Sequence, residues 1–332
     1  MSTNRRDFLK LAGAAATAAA GTQTASAADG PRPRGLATGL TLLQTMEGGR
    51  ARLAVKTQRG IVDVAEAAKM LGLAAPETTD ELLQNEDGPR LNTLMTAVMR
   101  DGRAGLFKPE TGITYAPLVT RPGKIVCVGL NYRAHAAEMG DKEPKQPVLF
   151  AKYANALHGH GQPLKLPTAV ATKFDYEVEL VAVMGKRAQS VGEAEALSYV
   201  AGYAVGNDMT ARDLQYDTGG QWLTGKALDH FAPLGPYLVT ADQVDPLKLN
   251  LECRVNGETR QSSNTENMIF NTRTLISYIS RHITLEPGDI IYTGTPDGVI
   301  NGMPEAKRVW LKAGDAIACS VQGLGELTFR LS

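Results

Sequence analysis

The chain has 332 residues, 43% of them hydrophobic and 21% charged, with 35 basic against 35 acidic side chains. That length supports one large or two modest domains around a substantial core, and the composition is neither that of a disordered chain nor that of a membrane-embedded one. Formal charge is zero, falling to about −2 once Arg5, Arg6, Lys10 and Asp7 are set aside, and no basic run points to nucleic acid.

Residues 1–27 read as a targeting segment. Asn4-Arg5-Arg6-Asp7-Phe8-Leu9-Lys10 has the form of a twin-arginine n-region, 11–20 is a short alanine-rich apolar run, and Ala25-Ser26-Ala27 is an Ala-x-Ala cleavage site. The expectation is a twin-arginine signal peptide and a periplasmic mature protein, exported folded. The apolar run is too short to span a bilayer, which needs about 20 residues. Residues 28–50, rich in Gly, Pro, Arg and Thr, read as a leader arm.

From residue 51 the pattern is regular. Residues 52–55 and 60–64 predict a strand pair, 65–73 a helix stopped by Gly72 and Pro76, and 91–100 a second helix stopped by Gly102. This gives a small N-terminal α/β domain over 51–117, with a boundary near 117–123. Beyond it the chain is β-rich. Strands are expected at 124–130, 147–152, 174–184 and 199–205, a short helix at 131–139, and a hairpin through Asn256-Gly257. Leu275, Ile276, Ile279 and Ile283 recur at helical spacing after a capping Asn271 or Thr272. The fold class is therefore α+β, with a β-rich catalytic domain over 120–332. Cys127, Cys253 and Cys319 each sit in an apolar run, with no Cys-x-x-Cys pair, and read as buried thiols rather than disulfides.

The chemistry concentrates at Phe174-Asp175-Tyr176-Glu177-Val178-Glu179-Leu180 and Gly206-Asn207-Asp208. Side chains alternate along an extended strand, so Glu177 and Glu179 point the same way about 7 Å apart. Two acids on one face of an apolar strand either face water on an edge or hold a cation between them. With Asp208 as a third oxygen ligand and no Cys or His beside them, the cation would be Mg2+ or Mn2+ rather than zinc. His135 and Glu138 stand one helical turn apart, either a general base with its orienting carboxylate or a surface pair. Lys226 is an anion-stabilising cation or a solvated loop residue. Tyr292-Thr293-Gly294-Thr295-Pro296 is an anion-holding turn or simply a turn.

Taken in order, these segments resemble the fumarylacetoacetate hydrolase superfamily. The matching pieces are Val128-Gly129-Leu130-Asn131-Tyr132 with His135 and Glu138, Asp175-Tyr176-Glu177-Val178-Glu179-Leu180, and Asn207-Asp208 through Arg212 to Gln215. Gly225-Lys226, Pro233-Leu234-Gly235-Pro236 and Thr293-Gly294-Thr295-Pro296 complete the set. The resemblance implies a mixed β-roll catalytic domain, a homodimer, and Mg2+ or Mn2+ on Glu177, Glu179 and Asp208. It also implies a His135–Glu138 pair on a lid, and substrate contacts from Lys226, Gln215, Thr293 and Arg212. No acid lies within 127–132, where fumarylacetoacetase itself carries a further ligand, so the chain resembles the smaller acylpyruvate-hydrolase branch.

The implied activity is hydrolysis of the C–C bond of a 2,4-diketo acid through a metal-stabilised pyruvate enolate, in the course of aromatic catabolism. The alternatives are isomerisation or decarboxylation of hydroxymuconate-type diacids or oxaloacetate, ureidoglycolate cleavage on the same site, or a periplasmic keto-acid binding protein that has lost catalysis.

Overall fold

The computed structural model describes residues 33–332, and Pro33–Ser332 form one compact unit. The expected signal segment at 1–27 lies outside the described residues.

Nine strands make the main sheet, in the spatial order β3 (Gly60–Asp63), β2 (Arg50–Thr57), β1 (Thr41–Glu47), β13 (Leu238–Thr240), β10 (Val200–Asn207), β9 (Val178–Met184), β16 (Ile290–Tyr292), β4 (Ile125–Gly129) and β5 (Val148–Lys152). Its pairs are antiparallel except β16 with β4, which makes the sheet mixed. A second sheet runs β15 (Glu258–Asn264), β14 (Asn250–Val255), β17 (Ala316–Val321), β18 (Gly325–Leu331) and β7 (Pro163–Leu164). Two short pairs complete the strands: β8 (Phe174–Asp175) with β11 (Thr210–Ala211), and β6 (Leu157–His158) with β12 (Ala232–Pro233).

The helices fill the flanks. α1 (Val64–Leu71) is capped by the Asp63 side chain, which accepts from Glu66 N, and ends at Gly72 with φ 64°. α2 (Thr79–Gln84) and α3 (Gly88–Asp101) follow, then α4 (Arg133–Glu138), α5 (Arg212–Asp217) and α6 (Leu223–Lys226). α7 (Thr272–His282) starts at Asn271, whose side chain accepts from both Arg273 N and Thr274 N.

Two sequence expectations change. The leader arm at 28–50 contains β1, which sits inside the main sheet between β2 and β13. The strands at 50–63 continue that same sheet, so the small N-terminal domain and the catalytic domain share a core: Leu53, Val62 and Leu91 pack in one cluster with Val181, Val183 and Ile290. The signal in 41–47 was weak because its buried side chains do not alternate cleanly with polar ones.

The acid-bearing strand also differs from expectation. β8 and β9 are separate, broken at Tyr176 and Glu177, where the backbone amides turn to side chains: Asn207 Oδ1 accepts from Glu177 N at 3.1 Å and Gln261 Oε1 from Val178 N at 2.9 Å. β9 lies between β10 and β16, and every residue in it is buried. Val178, Leu180, Ala182 and Met184 face the core shared with β14, β17 and α7, while Val181 and Val183 face the core under α1 and α3. The solvated edge strand is thereby excluded, and the acids are committed to the interior.

Candidate active site

Glu179 lies on β9, Glu177 just before it, and Asp208 just after β10, with Asp208 N donating to Glu177 O at 2.8 Å across the two strand ends. One carboxylate oxygen of each falls within 4.8 Å of the others, and all three residues are buried. A second trio, Glu47, Asp63 and Glu66, has two exposed side chains and one buried one, and it pairs with Arg52 and Lys108, so it lacks the uncompensated burial that calls for an ion.

The carboxylates do not stand alone, contrary to their own motifs. Lys226 on α6 donates to Glu177 Oε2 at 2.7 Å and to Asp208 Oδ2 at 3.0 Å. Lys152, at the end of β5, places Nζ 2.6 Å from Asp208 Oδ1 and donates to the carbonyls of Met209, Phe231 and Lys226. Arg212, at the start of α5, reaches Glu177 Oε1 with Nη2 at 2.7 Å and Gln215 Oε1 with Nη1 at 3.0 Å. Lys152 is the residue that sequence reasoning missed; its only signal is a lysine closing the apolar run Val148-Leu149-Phe150-Ala151.

These contacts separate the acids electrostatically. Burial pushes the Glu177 carboxyl up, but Lys226, Arg212 and His135 more than offset it and hold it down to about 2. Burial, then Asp208 and Glu177, push Glu179 well above the usual carboxylate range, with only the Gly294 amide, 2.6 Å from Oε2, and the more distant Lys226 opposing. Burial lowers Lys226, but Asp208 and Glu177 raise it to about 12. Burial lowers Lys152 from its usual value, with Asp208 opposing.

Among the described residues Glu179 makes no ion pair with a cation, and it points at two other acids. This donor set fits a hard divalent cation, which would take one oxygen from each of Glu177, Glu179 and Asp208 and relieve the charge on Glu179.

Beside the acids lies a cavity of ≈ 60 Å3, bordered by His135, Glu177, Arg212, Gln215, Lys226 and Thr295, with Trp222 and Phe150 as an aromatic wall. Those two rings meet edge to face, 5.4 Å between centroids. His135 Nδ1 is 2.7 Å from Glu138 Oε1, and Glu138 Oε2 accepts from Gly298 N at 3.0 Å. An ionised carboxylate only accepts, so Nδ1 carries the proton and Nε2 is left as a base. Thr293 does not border the cavity: it is buried and its hydroxyl donates to Leu180 O at 2.8 Å, whereas Thr295, whose hydroxyl donates to Val178 O at 2.9 Å, does border it. Alternation alone would put residues 293 and 295 on one face; the turn at Gly294, with φ 102°, breaks that pattern. A larger apolar cavity of ≈ 360 Å3, along β4 and β5 near Ile283, includes none of the three acids.

The β-rich α+β fold that brings these three acids to one buried point is the fold of the fumarylacetoacetate-hydrolase-type enzymes. The chain belongs to this family: residues 124–332 match the family model of the fumarylacetoacetate (FAA) hydrolase C-terminal region. It is 45% identical over 254 residues to a mitochondrial oxaloacetate tautomerase of Rattus norvegicus, covering 76% of this chain and 79% of that one. Among solved structures it is similar to the fumarylacetoacetate hydrolase of psychrophilic Exiguobacterium antarcticum, with TM-score 0.73, 32% identity, and 88% and 99% of the two chains covered. It is also similar to maleylpyruvate hydrolase from Sphingobium sp. SYK-6, a structure in complex with manganese (II) ion and pyruvate, with TM-score 0.70, 29% identity, and 87% and 98% covered.

These relatives correct the periplasmic expectation. The tautomerases of rat, cattle and human are mitochondrial proteins, which points away from a periplasmic location. The reason lies in composition: an arginine-bearing, alanine-rich, acid-poor leader is shared by several kinds of targeting segment, so residues 1–27 do not by themselves set the compartment.

Proposed function

We propose that the protein is a divalent-metal-dependent enzyme of small 2-keto acids, and that its reaction is the keto–enol tautomerisation of oxaloacetate. The observation that carries this reading is the His135–Glu138 pair, bonded through Nδ1, beside a cavity of only ≈ 60 Å3 next to the acid cluster. The similarity to oxaloacetate tautomerases supports the same choice.

His135 Nε2 removes a proton from C3, the electron pair forms the C2=C3 bond, and the charge moves to the C2 oxygen, which takes a proton back from the His135 imidazolium and leaves the histidine neutral again. Glu138 stabilises the imidazolium formed on the way. Lys226, positively charged across the working pH range, and Gln215 orient the keto acid, while Trp222 and Phe150 restrict water. Glu177, Glu179 and Asp208 would hold Mg2+ or Mn2+, which supplies Lewis-acid stabilisation of the charge on the keto oxygen when bound. Lys152 and Arg212 hold Asp208 and Glu177 in place.

Hydrolysis of an acylpyruvate is the second reading, supported by the likeness to maleylpyruvate hydrolase with its manganese and pyruvate. One assay decides between them. Enol oxaloacetate and a panel of acylpyruvates are given to enzyme loaded with Mn2+, following enol decay for the first and pyruvate release for the second. Tautomerisation lost on chelation and restored by Mn2+ or Mg2+ is the expected result; pyruvate release without tautomerisation would reverse the order of the readings. His135→Ala should lower turnover by about a hundredfold or more while changing Mn2+ affinity by less than about tenfold.

A further inference from the structure

Asp175, at the end of β8, is buried and accepts four hydrogen bonds. Its Oδ1 takes Tyr176 N and Ile300 N, each at 2.9 Å. Its Oδ2 takes Arg212 Nε at 2.8 Å and Asn301 N at 3.0 Å. On one side, therefore, Asp175 anchors the guanidinium that reaches Glu177. On the other it anchors the turn at 298–302.

That turn is where Glu138 rests. Gly298 N donates to Glu138 Oε2, and Asn301 Nδ2 lies 3.8 Å from the sulfur of Met139. Gly302 leaves the room: a Cβ there would stand 2.5 Å from Glu138 Cδ and 2.6 Å from Oε2. α4 is only six residues long, too short to hold its own geometry without tertiary support. The direction of the Glu138 carboxylate, and through it the His135 ring, is thus set from outside the helix.

We propose that the 298–302 turn is a positioning element for the His135–Glu138 pair, with Gly302 as the residue that admits the carboxylate and Asp175 as the residue that ties the turn to Arg212 and the acid cluster. This rests on reading His135 and Glu138 as the proton-transfer pair. Geometry at the base and geometry at the acids are then set by one buried carboxylate, and a change at Asp175 is felt at both.

Gly302→Ala is the direct test. Gly302 is outside the left-handed region, and the three atoms nearest the new methyl all belong to the Glu138 side chain, so the variant should fold as the parent does, which an unchanged Tm checks. Turnover should fall about tenfold or more with KM within about threefold, and hydrogen–deuterium exchange of the metal-free protein should rise across 131–140 while 178–184 stays unchanged. In a Glu138→Ala background the same substitution should cost less than about twofold, because the group it displaces is gone. Unchanged exchange with unchanged turnover, or an equal loss in the Glu138→Ala background, overturns the proposal. Asp175→Asn offers one oxygen to donors that need two, so exchange should rise at both 131–140 and 298–302; a rise at 298–302 alone breaks the link to Glu138. Failure of Asp175→Asn to fold leaves Gly302→Ala to decide. Exchange is read without substrate, so a failed oxaloacetate assay and a failed seat are told apart.

Discussion

Glu179 shows most directly what burial does to a single charge. Burial, then the facing Asp208 and Glu177, push its carboxyl well above the usual range, so the metal-free folded state takes up a proton that the unfolded state releases. The sign follows: this group destabilises the metal-free protein at neutral and alkaline pH, and the penalty disappears as pH falls to the ordinary carboxylate range, where both states are protonated. Glu177 has the opposite sign, contributing stability above the ordinary range that is lost as pH falls toward about 2. Glu179→Gln should therefore raise the Tm of chelator-treated protein at pH 8 by an amount on the order of 2 °C, with the gain shrinking toward pH 4.5 and Mn2+ binding abolished. Thermal scans with and without Mn2+ across that range check it; a Tm lowered at pH 8 in chelator would mean that the carboxylate is compensated after all.

Among the elements, β4 and the α5–α6 connection cooperate through a missing side chain. Gly129, the last residue of β4, lies under Trp222, where a Cβ would stand 2.4 Å from Cζ3 and 2.8 Å from Cη2 of the indole. The ring is seated in that notch and turned toward Phe150 and the cavity. Gly129→Ala should displace the indole and raise KM for the keto acid by about tenfold, ~1.4 kcal/mol, with Tm nearly unchanged because the far edge of the ring can move. Steady-state kinetics and a thermal scan measure both; a large Tm loss with unchanged KM would make Trp222 a packing residue only. Lys152 carries a related lesson for the elements. β5 is an edge strand, and its last side chain turns inward to Asp208 and three carbonyls, so the edge closes on the site.

Across the described residues, a nine-stranded sheet and a core shared by its two ends replace the arm and two domains expected from the chain order. Leu53 on β2 is fully buried in the cluster that also contains Val181 and Val183 of the acid-bearing strand. Leu53→Ala should cost about 2–5 kcal/mol and lower one cooperative calorimetric transition, without splitting it. Two resolved transitions, only one of them shifted, would restore the two-domain picture.

Much of this protein is legible from its residues because the information is local. Alternation, caps and stops place β2, β3, α1, α3 and α7 within a few residues, and the buried free cysteines follow from their apolar runs. The acids Glu177, Glu179 and Asp208, and the His135–Glu138 pair one helical turn apart, are candidates on spacing alone. Tertiary structure decided what spacing leaves open. It made β9 a central strand, which turns two acids on a strand from a solvated edge into a buried cluster, because only sheet order says which strand has neighbours on both sides. It put β1 inside the sheet through pairings with β13 nearly 200 positions away. It brought Lys152 and Arg212 to the acids and exchanged Thr293 for Thr295 at the cavity, since charge compensation and side-chain direction depend on residues distant in the chain that no local pattern names.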